Sequence, residues 1–143
     1  MINIVLRDCI PLADNDFIYD SWIKSYSNSG FSRGIPTSLY VVGQRSRIDK
    51  ILGSPPTKVT IATNPEEPSV IYGYSVITGE NILHYLYVKN AFRKLGIGTQ
   101  LINRLFGSQV LYTHKSADIW AERILKEDPT FNEWMYDPYV LEI

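Results

Sequence analysis

The chain has 143 residues, a net charge of −1 at neutral pH and 45% hydrophobic residues. This length suits one compact domain over residues 1–143 with its own core, and the near-zero charge gives no overall indication of nucleic-acid binding. The single cysteine, Cys9, excludes an internal disulfide framework, and with only two histidines no metal site is expected. Because no apolar run approaches membrane-span length and the N-terminus lacks a signal-peptide pattern, we expect a cytoplasmic protein without a membrane partner.

The hydrophobic pattern predicts elements in the order β-α-α-β-β-β-α-β-α-β. In chain order they are a strand at 2–6, a helix between a cap at 14–16 and a stop at 27–30, a helix from a cap at 37–38 to about 52, strands at 58–63, 70–78 and 81–88, a helix at about 95–106, a strand at 110–113, a helix at 116–126 and a strand at 131–136, with 139–143 as a further edge.

This order predicts a mixed sheet. The three consecutive strands over 58–88 form an antiparallel meander, and the strand–helix–strand unit that follows requires a parallel pair. Both faces of the strand at 81–88 are largely apolar, so we expect it to be central and covered on both sides. The expected class is α/β (α+β), a three-layer α/β/α fold with a mixed sheet of about six to seven strands.

The segment after the strand at 81–88 carries Arg93, Gly96 and Gly98 and leads directly into a helix. A helix N-terminus behind such glycines presents backbone N–H groups that bind phosphates, and the alternative is an ordinary tight turn. A dinucleotide fingerprint would need glycine where the chain has Leu101, and no Gly-Lys-Ser/Thr tripeptide completes a Walker A loop. Both common nucleotide-binding motifs are therefore excluded.

The spacing Arg93-x-x-Gly96-x-Gly98, between Tyr-Leu-Tyr-Val at 85–88 and Thr-Gln-Leu-Ile at 99–102, resembles the cofactor motif of the GNAT family, the Gcn5-related N-acetyltransferases. The resemblance implies an acyl-CoA N-acyltransferase fold, acetyl-CoA as cofactor, and an amine on a small molecule or a protein as acceptor. It implies that backbone N–H groups of the loop bind the pyrophosphate of acetyl-CoA. The cofactor-binding residues implied in this way are Leu86, Val88, Arg93, Lys94, Gly96, Ile97, Gly98 and Thr99.

The family also implies a role for the strand before the loop. There the strand carries a bulge and splays from its neighbour, so that its backbone groups bind the pantetheine arm and polarise the acetyl carbonyl. These positions correspond to Leu86, Tyr87 and Val88. Because a backbone N–H that faces a developing oxyanion accelerates acyl transfer, Tyr87 is a candidate catalytic position.

The sequence gives weaker signals for the general base and the general acid of acetyl transfer. Transfer to an amine needs a base, and this strand has no carboxylate beyond Glu80 at its start. His84 is a candidate catalytic base, and the alternative is a buried histidine satisfied by a neighbour. Many family members use a tyrosine of the last helix as general acid, but residues 116–126 contain none and place Trp120 in that region.

Three functions therefore compete. The leading expectation is an acetyl-CoA-dependent N-acetyltransferase with direct transfer, as a monomer or homodimer. Segments 64–68, 82–89 and 134–139 also look like small GNAT-like proteins of bacteriophages and prophages, and one such branch, similar to the Mom DNA-modification protein, acts on DNA bases. That less favoured alternative would use a basic groove around Arg33, Arg45, Arg47 and Lys50, for which the alternative is a solvated helix face. The third is a GNAT-fold binding protein without catalysis, which the missing tyrosine favours.

Overall fold

A computed structural model of the chain describes residues 3–26, 36–93, 95–102, 109–113 and 133–137. The chain divides into two compact units, one formed by Met1–Asp8 with Pro56–Ile143 and the other by Cys9–Pro55. The first is built on a sheet and the second on two helices. The single domain over residues 1–143 stays a prediction.

The first unit contains a six-stranded mixed sheet within the described residues. Its strands are β1 (Val5–Asp8), β2 (Thr57–Thr63), β3 (Ile71–Thr78), β4 (Ile82–Val88), β5 (Gln109–Tyr112) and β6 (Glu133–Tyr136). They lie side by side in chain order. Strands β1 to β4 pair antiparallel, whereas β4 with β5 and β5 with β6 pair parallel. The predicted mixed sheet, with its meander and its parallel crossover, is confirmed.

Helix α3 (Ile97–Leu101) packs on one face of this sheet. The shared core consists of apolar and aromatic side chains, namely Ala62, Tyr72, Ile77, Leu83, Leu86, Val88, Ile97, Leu101, Ile102, Val110 and Tyr112. The buried hydroxyl of Ser75 on β3 donates to the Leu101 carbonyl at 3.0 Å. Because a buried carbonyl at a helix end needs a donor, this bond fixes the end of α3 to the sheet.

Some predicted boundaries change. The first strand lies at Val5–Asp8 and not at 2–6, because these residues pair with Thr60 to Thr63 of β2. The predicted helix at 95–106 begins at Ile97, and its residues 103–106 lie outside the described residues. The predicted helix at 116–126 and the edge at 139–143 lie wholly outside them.

A β-bulge interrupts the pairing of β3 with β4. Val76 lies opposite Tyr85 and Ile77 lies opposite Leu83, which leaves His84 as an extra residue on β4. Because side chains alternate along a strand, one extra residue reverses the alternation beyond it. Leu83 and Leu86 therefore pack in the same core cluster.

The predicted faces of β4 change accordingly. Uninterrupted alternation places Ile82, His84, Leu86 and Val88 on one face. The bulge instead separates His84 from the α3 core, which contains Leu86 and Val88. The prediction of an unbroken period was wrong because a bulge depends on pairing with a neighbour and not on the strand's own sequence.

The second unit consists of α1 (Pro11–Tyr26) and α2 (Thr37–Leu52). Proline suits the first position of α1 because its missing N–H would have no helical acceptor, and the Asp14 carboxylate accepts the Ile10 N–H at 2.7 Å. The helix thus starts before the predicted cap at 14–16. The predicted extent of α2 is confirmed, with Pro36 preceding it.

Polar contacts join the two helices of this unit. The Tyr40 hydroxyl donates to the Ile23 carbonyl at 2.9 Å, and the Tyr19 hydroxyl donates to the Asp49 carboxylate. The Arg45 guanidinium lies over the Tyr19 ring, 4.5 Å from its centroid, an arrangement that attracts a cation to the π face. In the portion of the chain that the structure describes, no helix has the length and hydropathy to cross a membrane.

Substitution of Gly73 is expected to destabilise the sheet. A Cβ at this position would lie 2.3 Å from the Tyr87 carbonyl oxygen and 3.1 Å from the Val88 Cα, so Gly73→Ala must displace β4. Overpacking of this kind costs about 1–3 kcal/mol. Urea unfolding followed by circular dichroism measures the loss.

Gly43 provides the matched control for this substitution. A Cβ at Gly43 on α2 meets nothing within 4 Å, and alanine is preferred over glycine inside a helix by about 0.5–1 kcal/mol. Gly43→Ala should therefore raise the urea midpoint while Gly73→Ala lowers it. Equal midpoints for wild type and Gly73→Ala would show that β4 accommodates the methyl group without displacement.

The contribution of Tyr19 to stability is expected to depend on alkaline pH. Burial of the phenol, its hydrogen bond to Asp49 and the charge of Asp49 together raise the pKa of Tyr19 from 10.0 to about 12, against the opposing effect of Arg45. Because the folded-state pKa of Tyr19 lies above its unfolded value, the contribution of Tyr19 to the free energy of unfolding is fully present below pH 10 and is lost as pH rises towards 12.

The measurement is the difference in free energy of unfolding between wild type and Tyr19→Phe across this pH range. We expect a constant difference below pH 10 and a declining one above it, because ionised Tyr19 would face the Asp49 charge. In an Asp49→Asn background the decline should be smaller. A difference that does not vary with pH would contradict the assignment.

Candidate functional site

Strand β4 has an open edge along its second half. It pairs with β5 only at Ile82↔Leu111 and Leu83↔Tyr112. The last backbone bond of this pair runs from the Thr113 N–H to the Leu83 carbonyl at 3.1 Å. Within the described residues, no strand covers this side of β4 beyond Leu83, and this stretch of β4 is called the open edge.

The bulge decides which backbone groups occupy the open edge. The Lys89 N–H donates to the Tyr72 carbonyl of β3 at 2.8 Å, and alternate residues of an antiparallel strand direct both backbone groups to the same neighbour. Tyr87 is therefore directed at β3, whereas Leu86 and Val88 direct their N–H and C=O groups away from β3. These groups line the open edge.

The outcome differs among the three expected backbone positions. Leu86 and Val88 lie as the family resemblance implies, with backbone groups at the open edge. The Tyr87 backbone faces β3, and its ring packs against the ring of Tyr74 with centroids 5.7 Å apart. A backbone N–H donor at this edge therefore belongs to Leu86 or Val88, and the Tyr87 backbone is not available for that role.

The loop after β4 folds back on the strand. A single 3₁₀ turn at Asn90–Phe92 leads to Arg93, whose Nε donates to the Val88 carbonyl at 3.0 Å. The Phe92 ring packs on Tyr72 with centroids 4.4 Å apart. Arg93 thus satisfies one carbonyl of the open edge and holds the loop beside it.

Gly96 and the first turn of α3 complete the loop. Gly96 has φ +83°, in the left-handed region that residues other than glycine rarely adopt. Its carbonyl accepts the first helical bond, from the Gln100 N–H at 3.2 Å. The N–H groups of Ile97, Gly98 and Thr99 precede that donor, so they have no acceptor within the helix.

The loop and the open edge adjoin each other. Val88 at the end of β4 and Ile97 at the start of α3 pack in the same core cluster. The Thr99 side chain is exposed, and Lys94 lies outside the described residues. Among the predicted cofactor-binding residues, Leu86, Val88 and Ile97 share this core and Arg93 bonds to Val88, and their role in binding a cofactor stays a prediction.

His84 lies elsewhere, in a buried chain of hydrogen bonds. It is 1% exposed, with Nε2 2.9 Å from the Thr78 hydroxyl and Nδ1 2.9 Å from the Thr113 hydroxyl. Thr78 in turn contacts the Thr57 hydroxyl at 2.6 Å. The chain crosses from β2 through β3 and β4 to the end of β5.

This geometry matches the alternative in which His84 is a buried histidine satisfied by neighbours. As a base, His84 would have to exchange one threonine bond for a substrate, and that role stays a prediction. Its partners Thr78 and Thr113 went unrecognised because they belong to other strands. Gly73 also went unrecognised, although a glycine within a β-branched strand signals close backbone approach.

The remaining expectations fall mostly outside the described residues. The segment around Trp120 and the position of Arg33 are among them. Arg45, Arg47 and Lys50 lie on α2, with Arg45 placed over Tyr19. The described part of the basic cluster thus includes one exposed side chain, Arg45, that contacts the Tyr19 ring.

Comparison with known proteins identifies the fold. No protein-family model matches the chain, and no curated protein sequence matches it. A candidate acetyl transferase from Pyrococcus furiosus is similar in structure, with a TM-score of 0.57 and 18% identity over 96% of this chain and 87% of that chain. A GCN5-related N-acetyltransferase from Rhodopseudomonas palustris has a TM-score of 0.50 and 19% identity over 73% of this chain and 64% of that chain. The resemblance to phage proteins stays a prediction. The mixed six-stranded sheet with its helices is that of the GNAT acyl-CoA N-acyltransferase fold.

Proposed function

We propose that the chain is an acetyl-CoA-dependent N-acetyltransferase that transfers the acetyl group directly to an amine. The observation that carries the proposal is the open edge of β4 beside the loop at 93–99, on a fold shared with an acetyltransferase. Fold alone does not determine activity, so the proposal depends on the match between this geometry and the shape of acetyl-CoA.

The open edge suits the pantetheine arm. Pantetheine is a narrow chain with two amide groups, and an extended chain of this kind binds to a free strand edge through backbone hydrogen bonds. Leu86 and Val88 would supply these bonds. Because Arg93 already occupies the Val88 carbonyl, the N–H groups of both residues and the Leu86 carbonyl are the main binding groups.

The loop suits the pyrophosphate. The N–H groups of Ile97, Gly98 and Thr99 stand at the start of α3, where backbone dipoles favour negative charge. The left-handed Gly96 directs the chain into this turn. Lys94 and the exposed Thr99 would add a cation and a hydroxyl to this binding surface.

The same edge would assist the chemistry. Bound acetyl-CoA supplies a thioester as the electrophile. A Leu86 or Val88 N–H near the carbonyl oxygen would stabilise the charge that develops there as the amine attacks. The base that deprotonates the amine and the acid that protonates the thiolate stay unassigned among the described residues.

Binding of CoA is expected to depend on the backbone conformation of Gly96. Gly96→Ala places a Cβ on a residue with φ +83°, which costs about 1–2 kcal/mol in the left-handed region. Relief of this strain would turn the loop N–H groups away from the pyrophosphate. We expect CoA affinity, measured by calorimetry, to fall about tenfold.

Gly79 provides the matched control. It has φ +63°, and like Gly96 its Cβ position meets nothing within 4 Å, but it lies in the turn between β3 and β4, at the other end of β4 from the loop. Gly79→Ala should lower the stability comparably and leave CoA affinity unchanged. An equal loss of affinity in both variants would show a general effect on folding.

Catalysis needs its own measurement. Thiol release from acetyl-CoA should rise when primary amines are added, and amino sugars, polyamines and peptide amines form a suitable panel. Acetylated acceptor identified by mass spectrometry would confirm transfer. CoA binding without thiol release from acetyl-CoA in the presence of any acceptor would contradict the enzymatic proposal and leave a non-catalytic CoA-binding protein.

A further inference from the structure

We infer that His84 is a positioning residue: it holds the bulge of β4 and thereby sets which backbone groups of β4 face the open edge. Its effect on the binding of CoA rests on the proposed function. Its effect on the backbone of β4 does not, and the two are measured separately.

The bulge sets the register of β4 against β3. The Leu83 carbonyl bonds to the Thr113 N–H at 3.1 Å, so Leu83 faces β5. Without an extra residue, simple alternation would direct Tyr85 and Tyr87 to that same side. Because His84 has no opposite residue on β3, the alternation shifts by one, and Leu86 takes the outward position instead.

Two hydrogen bonds of the His84 ring hold the extra residue in place. A bulge removes one residue from the ladder, and other contacts must compensate for it. His84 contacts both neighbouring strands, through Nε2 to Thr78 on β3 and Nδ1 to Thr113 after β5. At 1% exposure, neither ring nitrogen can take water in exchange without opening the sheet.

His84 lies next to the last described residue pair between β4 and β5. Thr113 holds β4 twice, with its N–H on the Leu83 carbonyl and its hydroxyl 2.9 Å from His84 Nδ1. The last strand pair is Leu83↔Tyr112. His84 therefore lies between Leu83, the last residue of β4 that pairs with a described residue of β5, and Leu86, the first residue of the open edge.

The experiment uses three substitutions of the same side chain. His84→Leu removes both nitrogens. His84→Asn keeps a polar group near Nδ1, which faces Thr113, and His84→Gln keeps one near Nε2, which faces Thr78. Thr57→Val is the matched control, because it removes only the far end of the hydrogen-bond chain.

Amide hydrogen exchange measured by NMR reports the backbone without CoA. In wild type we expect slow exchange for Tyr87 and Lys89, which bond to β3, and fast exchange for Leu86 and Val88. In His84→Leu this contrast should vanish or reverse, while Thr57→Val should keep it. A contrast that persists in His84→Leu would overturn the inference.

Calorimetry and kinetics report the consequence for the site. His84→Leu should weaken CoA binding about tenfold, the equivalent of about one misplaced hydrogen bond, and His84→Asn or His84→Gln should recover part of it. If His84 is the base, both polar variants instead lose kcat at unchanged CoA affinity and lose the acidic limb of the kcat–pH profile, which would overturn the inference.

Two further outcomes are decisive. If His84→Leu does not fold, the exchange patterns of His84→Asn and His84→Gln decide. The inference is then overturned if both variants keep the wild-type contrast in exchange rates. Should wild type not bind CoA, the proposed function fails, whereas the exchange contrast in the His84 variants still supports or overturns the role of His84 in the bulge.

Discussion

The geometry of the candidate site depends on one constraint, the strict alternation of backbone hydrogen-bond directions along a strand. A single extra residue, His84, shifts this alternation by one residue midway along β4. Before it, the carbonyls of Asn81 and Leu83 bond to β5. After it, Leu86 and Val88 take over that direction where no described strand pairs with β4, which leaves backbone groups that a ligand can bind.

Packing against α3 and against β3 supports this shift in the alternation of β4. Leu83, Leu86 and Val88 all enter the α3 core, so the strand is anchored on both sides of the bulge. Across the sheet, Gly73 lets the Tyr87 carbonyl approach so closely that a methyl group would not fit. The open edge is therefore held by dense neighbours, which keeps its polar groups in one arrangement before a ligand arrives.

The sequence was sufficient for the parts of the molecule that local patterns determine. Alternation and turn residues predict all six described strands, and the spacing of Arg93 and Gly96 predicts the loop that adjoins the open edge. The family resemblance implied a bulge in this strand, but the sequence did not indicate that it falls at His84, because its position depends on the register between two strands. For this reason Tyr87 was expected at the edge, and two roles for His84 remained open. The sequence places the start of α1 too late because Asp14 lies inside the first turn, where its carboxylate accepts the Ile10 N–H, and does not precede the helix.

The short pairing of β4 with β5 has a mechanical consequence. Two residue pairs, Ile82↔Leu111 and Leu83↔Tyr112, join the antiparallel strands to the parallel pair formed by β5 and β6. Sheets open first where fewest hydrogen bonds must break, so this seam is the weakest line of the described sheet. A ligand bound along the edge of β4 would lie beside that seam and would help to hold the antiparallel strands and the parallel pair together. It would then stabilise the fold as well as take part in the reaction.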